Sequence, residues 1–270
     1  MIPDFSLLAE LGKRLYDYVI SRGAPFYSAE FMRVHSELVR AGIDLVPEIQ
    51  QLPPSRLDEG IVGLLGHLAS IVKAYHKSPK VEVNANYMIP CPASNDLRDQ
   101  ARFTERDREA NSFLCFLQLE KWADRQDACP QVVLPVERPG AGHGLLFGAP
   151  KAFVHKKTQV INDTLTINAV WSSKVTAVRS EILDFFEEQR DRVRSFASFP
   201  VVAPKGTDHS CPHPVIAVVN IDANCKRLLG SHWSHQQKLG VALEPSIHIL
   251  SHLLVRKYYT SGTSNVAGSS

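Results

Sequence analysis

Long apolar runs are missing from the 270-residue sequence. A membrane-spanning helix needs about 18 or more consecutive apolar residues, and even the most apolar segments here carry Lys, Glu, His or Pro within a few positions. The first residues, Met1 to Phe5, lack the basic segment and the long apolar stretch of a secretory signal. We therefore expect a cytoplasmic protein that does not enter the membrane.

The sequence also lacks an excess of charge of either sign. Thirty basic and 28 acidic residues leave a net charge of +2, which provides no strong field for attracting nucleic acid or anionic lipid. Neither is therefore an expected partner. The five cysteines include no C-x-x-C pair, which argues against a disulfide framework and fits a reducing compartment.

Known catalytic and phosphate-binding signatures are missing as well. The sequence contains no G-x-S-x-G and no H-E-x-x-H. The glycine-rich segment 140–144 departs from both the dinucleotide-binding and the P-loop spacing, so we interpret it as a flexible loop. Acidic and basic residues between 184 and 192 have the spacing of ion pairs on a helix surface. No catalytic set is identified, and we expect a protein without enzymatic activity.

Two helices are predicted near the start of the chain. Apolar residues recur every three or four positions over 5–20 and again from 28 to about 41, which is the spacing of one helix face. Pro47, Pro53 and Pro54 follow the second helix, and prolines so close together break a helix. We therefore predict a linker around these prolines.

The residues after this linker are expected to form one domain over 55–260, preceded by a helical extension over 1–50 and followed by a flexible polar tail at 261–270. The domain begins with the strongest helical period of the chain, over 57–75. A terminal helix is predicted from Pro245, because proline is favoured in the first turn of a helix. Between these helices we predict strands at 81–90, 113–122, 131–136, 195–203 and 214–222, and a helix at 174–194. This order is typical of an α+β domain with an antiparallel sheet.

Three segments carry motifs that resemble those of the GAF domain, a small-molecule sensor module. Residues 148–163 look like the family's short helix and strand that end in a V-x-N-D turn. Residues 194–202 are similar to its R-S-x-x-x-x-P-[LV] strand, and residues 214–223 to a strand that ends in N-[IV]-[DS]-S, with Ala217 where the family usually has Gly. The segments occur in the family's order. The resemblance implies a GAF-like antiparallel β-sheet flanked by helices.

A pocket is expected on one face of that sheet. The segment 145–171 is too long and too mixed for a simple hairpin turn, and we predict that it covers the pocket. The candidate ligand-binding residues are Phe153, Asn162, Asp163 and Trp171. The alternative is that Asn162 and Asp163 cap the next turn through their side chains and that Trp171 is a core residue. The sequence names neither the ligand nor a cofactor.

A second group of candidate residues surrounds Cys211. His209, Cys211 and His213 are three metal-ligating side chains within five residues, but a structural zinc site takes four ligands, so the alternative is a solvated hairpin tip. A redox enzyme would use Cys211 or Cys225 as its nucleophile. One branch of the GAF family reduces free methionine sulfoxide with cysteines on the covering segment and nearby loops, whereas 145–171 contains no cysteine here.

We therefore predict a cytoplasmic, non-enzymatic, GAF-like sensor that binds an unidentified small molecule in a covered pocket. The resemblance further implies a homodimer through faces near 57–75 and 247–258, and the N-terminal helices are a candidate contact for a protein partner. Two alternatives stay open. One is a protein interaction module with a collapsed pocket, and the other is a cysteine-based redox sensor or reductase.

Overall fold

The structure, a computed structural model, describes most of the chain from residue 29 to residue 260. The described residues are 7, 10–11, 13–14, 29–76, 79–92, 94, 96, 113–122, 132–137, 146–167, 184–205, 213–230 and 233–260. They include the α-helices α1 (Ala29–Gln51), α2 (Leu57–Tyr75), α3 (Ala149–His155) and α4 (Trp233–Tyr258). Short 3-10 helices lie at Pro54–Arg56 and Thr164–Thr166.

The strands of the described residues form one antiparallel sheet. They are β1 (Val83–Cys91), β2 (Phe113–Trp122), β3 (Val133–Glu137), β4 (Gln159–Ile161), β5 (Ser195–Val202) and β6 (Val215–Ala223). Their order is β3-β2-β1-β6-β5-β4, and every neighbouring pair is antiparallel. The predicted α+β class is therefore confirmed, and β1 and β6 lie at the centre of the sheet.

The sheet is covered on both faces, which explains why β6 is buried along nearly its whole length. On one face, Tyr87, Phe199 and Val219 join α1, α2 and α4 in the main core. On the other face, Met88 and Val218 pack with residues of α3 in a smaller core. Neighbouring residues of β1 thus serve different layers, as the two-residue period of a strand requires.

The helical period that begins at Leu57 is confirmed by α2. Its apolar stripe is buried and consists of Leu57, Ile61, Leu64, Leu65, Leu68, Ile71 and Val72. Each fully buried side chain of this kind contributes about 1.5–3 kcal/mol through removal from water. The stripe packs mainly against α4 and β1, so α2 anchors the helical layer to the centre of the sheet.

The first fully described helix ends later than the sequence predicts. The predicted helix stops well before Pro47, but α1 continues through this proline to Gln51. A proline inside a helix cannot donate its backbone hydrogen bond, and contacts with α4 offset that loss. Arg256 of α4 donates from its guanidinium to the backbone carbonyls of Ile49 and Leu52, which satisfies acceptors at the helix end. The prediction that Pro47 belongs to a linker is therefore wrong, because this proline lies inside α1.

The last helix begins earlier than predicted, at Trp233 rather than near Pro245. Pro245 is buried inside α4, where this helix crosses α1 at Gly42. A Cβ on Gly42 would lie 3.3 Å from Cδ1 of Ile249 and 3.8 Å from Cβ of Pro245. The glycine therefore permits a close helix crossing, and this packing offsets the hydrogen bond that Pro245 cannot donate.

The division into an extension over 1–50 and a domain over 55–260 stays a prediction. Leu11 and α1 belong to the same main core as α2 and α4. Of the helix predicted at 174–194, the described part is helical over 184–188 and forms turns after it, and the tail 261–270 lies outside the described residues. Within the described part of the chain, no helix has both the length and the apolar character needed to cross a membrane.

Candidate functional site

A cavity of about 140 Å³ lies over the face of the sheet that α3 covers. Its floor consists of alternate residues of three adjacent strands, β1, β6 and β5. Asn86 lies opposite Asn220, which in turn lies opposite Ser198, and two residues further along Asp222 lies opposite Asn84. Because residues two apart in a strand face the same side, strand pairing gathers these polar groups.

Hydrogen bonds connect these five side chains, Ser198, Asn220, Asn86, Asp222 and Asn84, which are called the polar row below. Ser198 Oγ lies 2.7 Å from Asn220 Oδ1, and Asn220 Nδ2 donates to Asn86 Oδ1 at 2.9 Å. Nδ2 of Asn86 and Nδ2 of Asn84 each lie 3.5 Å from a different carboxylate oxygen of Asp222. The polar row thus leads to a carboxylate that is only 4% exposed, and such bonding holds buried polar groups in one orientation.

The walls of the cavity are apolar. The segment predicted to cover the pocket contributes Leu146, Phe147, Ala149 and Ile167, and the other apolar lining residues are Met88, Leu119, Val132, Leu134, Phe185, Phe186, Val193 and Phe196. The rings of Phe186 and Phe196 stack with their centroids 5.5 Å apart and 11° between their planes, and Phe185 meets Phe186 edge-on at 5.4 Å. These rings form an aromatic wall beside the polar floor.

Gly148 allows the covering segment to approach this wall. Its φ of 76° lies in the left-handed region that favours glycine. A Cβ at this position would lie 2.7 Å from Cε2 of Phe196, which is closer than carbon atoms pack. The start of α3 can therefore contact the sheet here because the residue is glycine.

Asp163 fastens the covering segment after β4. Its carboxylate pairs with Arg194 Nε at 2.8 Å and with Lys226 Nζ at 2.9 Å, and it accepts from the backbone N–H of Leu165 at 3.2 Å. Burial alone would raise the pKa of Asp163, but the bonds to Lys226, Arg194 and Leu165 lower this pKa below its usual value. The ionised carboxylate thus holds the covering segment to the start of β5.

Asn162 and Thr164 extend this fastening. The backbone carbonyl of Asn162 accepts from the N–H of Arg227 at 2.7 Å, and its Oδ1 accepts from Gln236 Nε2 at 3.3 Å. Thr164 Oγ1 donates to the carbonyl of Val193 at 3.0 Å. These contacts are those of a capped turn, and the described cavity lining includes neither Asn162 nor its neighbour Asp163. Their part in ligand binding stays a prediction.

Phe153 lies in α3, is 4% exposed and belongs to the smaller core. Its ring meets the ring of His213 edge-on with centroids 5.3 Å apart, and burial lowers the pKa of His213. Phe153 therefore supports α3 behind the described cavity lining. Trp171 lies outside the described residues, so the ligand-binding roles predicted for both residues stay predictions.

The proposed metal ligands are only partly described. His213 is described, whereas His209 and Cys211 lie outside the described residues. Across the part of the chain that the structure describes, no group of three or more His, Cys, Asp or Glu side chains is arranged to hold a metal ion. A metal site, a solvated hairpin tip and a nucleophilic Cys211 therefore all stay open for this segment.

Cys225, the other candidate nucleophile, lies beside His76. Its Sγ is 3.7 Å from Nδ1 of His76, whose Nε2 donates to the carbonyl of Leu228 at 2.9 Å. Burial raises the pKa of the Cys225 thiol and lowers the pKa of His76. Both shifts favour a neutral thiol and imidazole, whereas a nucleophilic cysteine needs a lowered pKa. The arrangement is that of a structural thiol.

None of the polar-row residues is among the site residues predicted from the sequence. The available signal was a pair of polar residues at alternate positions in otherwise apolar strands, V-N-A-N-Y around Asn86 and V-V-N-I-D around Asn220. Such a pattern places both polar residues of each strand on one face. It does not show that the two strands are neighbours, because Asn86 and Asn220 are 134 residues apart.

Comparisons with known proteins found similar solved structures but no similar sequence of a known family. No family model matches the sequence, and no curated protein matches it. A GAF domain structure is 14% identical with a TM-score of 0.32, over 77% of this chain and 90% of that chain. A type II free methionine-R-sulfoxide reductase from Thermoplasma acidophilum is 14% identical with a TM-score of 0.37, over 76% and 98%. Residues 122 to 287 of a methyl-accepting chemotaxis protein are 16% identical with a TM-score of 0.35, over 76% and 98%. With identities of 14–16% and TM-scores below 0.5, these similarities concern the fold alone.

Proposed function

We propose that this protein is a non-enzymatic sensor that binds a small molecule in the cavity above the polar row. The observation that carries the proposal is a buried carboxylate, Asp222, with hydrogen-bonded amides on the floor of an otherwise apolar cavity. Buried polar groups cost free energy unless they are bonded, so a cavity that served packing alone would be lined by apolar side chains. An apolar pocket with a few convergent polar groups is the usual form of a small-molecule site.

The sheet links the cavity to the helices on its opposite face. In β1, Asn86 lines the cavity and the next residue, Tyr87, belongs to the main core. The hydroxyl of Tyr87 lies 2.8 Å from that of Tyr258 near the end of α4, and Lys257 donates to Asp58 of α2 at 2.7 Å. A ligand that displaces β1 would therefore change the contacts of α2 and α4, and this is the proposed route of signal transmission.

The proposed partners follow from the same helices. We propose a cytoplasmic homodimer formed through α2 and α4. Because the apolar stripes of these helices are buried within one chain, the exposed residues of the helices would make the contacts between the two copies. The N-terminal helices are the proposed contact for a protein partner, and α1 carries the exposed apolar residues Met32 and Ile43. Sedimentation velocity across a range of protein concentrations tests the dimer, since a single monomeric species at every concentration would contradict it.

Native mass spectrometry of freshly purified protein tests the sensor function first. We expect a mass excess that disappears on denaturation, and a metabolite mixture should raise the melting temperature of protein stripped of its ligand. Asp222→Asn should abolish both effects, whereas Asp191→Asn, at an exposed position, should preserve them. A bare native mass together with an unchanged melting temperature in the mixture would refute ligand sensing.

A further inference from the structure

We propose that His248 and His252 of α4 form half of a tetrahedral zinc site, which the same two histidines of a second copy of this chain complete. The proposal rests on the proposed homodimer and is independent of the sensor cavity. Three observations support it, namely the separation of the two imidazole nitrogens, the position of the pair on α4 and the number of ligands that one chain supplies.

The two imidazole nitrogens have the separation that a tetrahedral zinc ion requires. Histidines four residues apart are neighbours on one helix face, and Nε2 of His248 lies 3.4 Å from Nε2 of His252. Zinc binds imidazole nitrogen at about 2.0–2.1 Å, so two nitrogens 3.4 Å apart subtend an angle of about 110° at a shared ion, which is the tetrahedral angle. Neighbouring nitrogens of a square-planar copper or nickel ion would be only about 2.8 Å apart.

A hydrogen bond explains this separation less well. N–H···O hydrogen bonds in proteins span about 2.7–3.2 Å, so 3.4 Å is long for a bond between the rings of His248 and His252. The rings meet edge-on, with their centroids 4.9 Å apart. Burial, with a smaller contribution from His248, lowers the pKa of His252, and neutral imidazole is the form that binds a metal. The pair is therefore suited to sharing a metal ion between its two nitrogens.

The pair lies where a second copy can reach it. His248 is exposed and His252 is half-buried. The helical period places both away from Leu250 and Leu254, which are buried in the main core, and both belong to the 247–258 face of the proposed homodimer. Within the described part of the chain, no group of three or more His, Cys, Asp or Glu side chains is arranged to hold a metal ion. The described residues of one chain therefore supply only these two ligands.

Twofold symmetry supplies the missing ligands. A structural zinc site takes four protein ligands, and two chains with two histidines each provide them. In a twofold-symmetric dimer the same surface of each copy meets its counterpart, so a pair of histidines beside the symmetry axis faces the equivalent pair. Zinc would therefore stabilise the dimer, because only the dimer contains the complete site.

Zinc binding and dimerisation are measured on the untagged full chain. After metal has been removed with a chelator, sedimentation velocity would give the dimer dissociation constant without metal, with Mg²⁺ and with Zn²⁺, and titration calorimetry would give the zinc stoichiometry. We expect one zinc ion for every two chains. Free zinc at about ten times its dissociation constant should strengthen the dimer about tenfold, whereas Mg²⁺, which prefers oxygen ligands, should have no effect.

Histidine variants locate the site. His248→Gln and His252→Gln should each abolish the effect of zinc on the dimer, whereas His155→Gln, at an exposed position of α3 on the other face of the sheet, should preserve it. Unchanged zinc binding to folded His248→Gln would assign the metal to other residues, such as the segment 209–213, and would overturn the inference. If circular dichroism shows that either variant is unfolded, the zinc stoichiometry and the Mg²⁺ comparison on the wild-type protein decide.

The other outcomes separate the zinc site from the homodimer. A dimer whose dissociation constant is the same with zinc and with chelator would overturn the zinc site and leave the homodimer standing. One zinc ion bound by each monomer would overturn the shared site. A monomer at every protein concentration, with and without zinc, would refute both proposals, and the function of the cavity would still be decided by native mass spectrometry.

Discussion

Replacing His67 with leucine is expected to make the stability of the protein less sensitive to acid. His67 lies in α2, is 7% exposed, and its Nε2 has no hydrogen-bond partner among the described residues. Burial, with a smaller contribution from the charge of Lys13, lowers the pKa of His67 from 6.5 to about 4. In mildly acidic solution the unfolded chain therefore binds a proton at this position that the folded chain does not.

The sign and the size of the effect follow from this difference in pKa. Because the pKa of His67 is lower in the folded protein, its contribution to stability is complete above pH 6.5 and is lost as the pH falls toward 4. One pKa unit corresponds to about 1.4 kcal/mol, so the free energy of unfolding should fall by about 3 kcal/mol over this range from His67 alone. Domains are stable by about 5–15 kcal/mol, so the loss is a measurable fraction of the total.

Urea unfolding followed by circular dichroism measures the effect between about pH 7.5 and pH 4. The free energy of unfolding of His67→Leu, relative to the wild-type protein, should increase by about 3 kcal/mol as the pH falls. The control is His155→Leu at an exposed position of α3, whose curve should stay parallel to that of the wild-type protein. If the His67→Leu curve is also parallel, the proposed penalty for protonating a buried imidazole is wrong.

Three further predictions concern backbone space, the end of α1 and the half-buried thiol. Gly148→Ala should destabilise the protein by about 1–3 kcal/mol because of its positive φ and the contact with Phe196. Gly66→Ala in α2, where a Cβ meets nothing within 4 Å, should instead stabilise the protein by up to about 1 kcal/mol. Thermal melts that show equal shifts for the two variants would contradict this prediction. Arg256→Gln removes the bonds that hold the end of α1 to α4, so limited proteolysis should cut α1 faster, and an unchanged cleavage rate would show that these bonds do not retain it. The thiol of Cys225 should react with a disulfide reagent at pH 8 more slowly than a short peptide thiol, because burial raises its pKa; faster reaction in a variant that keeps only this cysteine would revive the redox alternative.

The elements predicted correctly from the sequence are those with a strong local signal. The apolar stripe from Leu57 to Val72 continues over four turns and needs no knowledge of its partner. A hairpin-length connection between 122 and 131 favours antiparallel pairing of the two strands that flank it, and the structure pairs β2 with β3 in this way. In both cases the decisive interactions lie within about 20 residues of each other, where periodicity and connection length are informative.

The errors arise where distant residues override a local rule. Pro47 and Pro245 are helix-breaking by local chemistry, but each lies inside a helix of the α1 and α4 pair. The contacts that compensate, Arg256 with the end of α1 and the close crossing at Gly42, join residues about 200 positions apart. The polar row was missed for the same reason, because its residues come together only when β1 pairs with β6. The side chains of one strand form a site only together with those of the adjacent strand, and local sequence patterns do not identify which strand is adjacent.

Because the side chains of β1 alternate between two layers, this strand should tolerate substitutions better than changes in its length. Asn86 and Met88 contribute to one layer, and Tyr87 between them to the other, while the pairing with β2 already contains a register irregularity between Tyr87 and Met88. Inserting or deleting one residue before Asn86 would exchange the two faces, placing an amide against aliphatic helices and a phenol in the cavity. Natural variation in this strand should therefore consist of substitutions, whereas insertions and deletions should collect in the loops on either side.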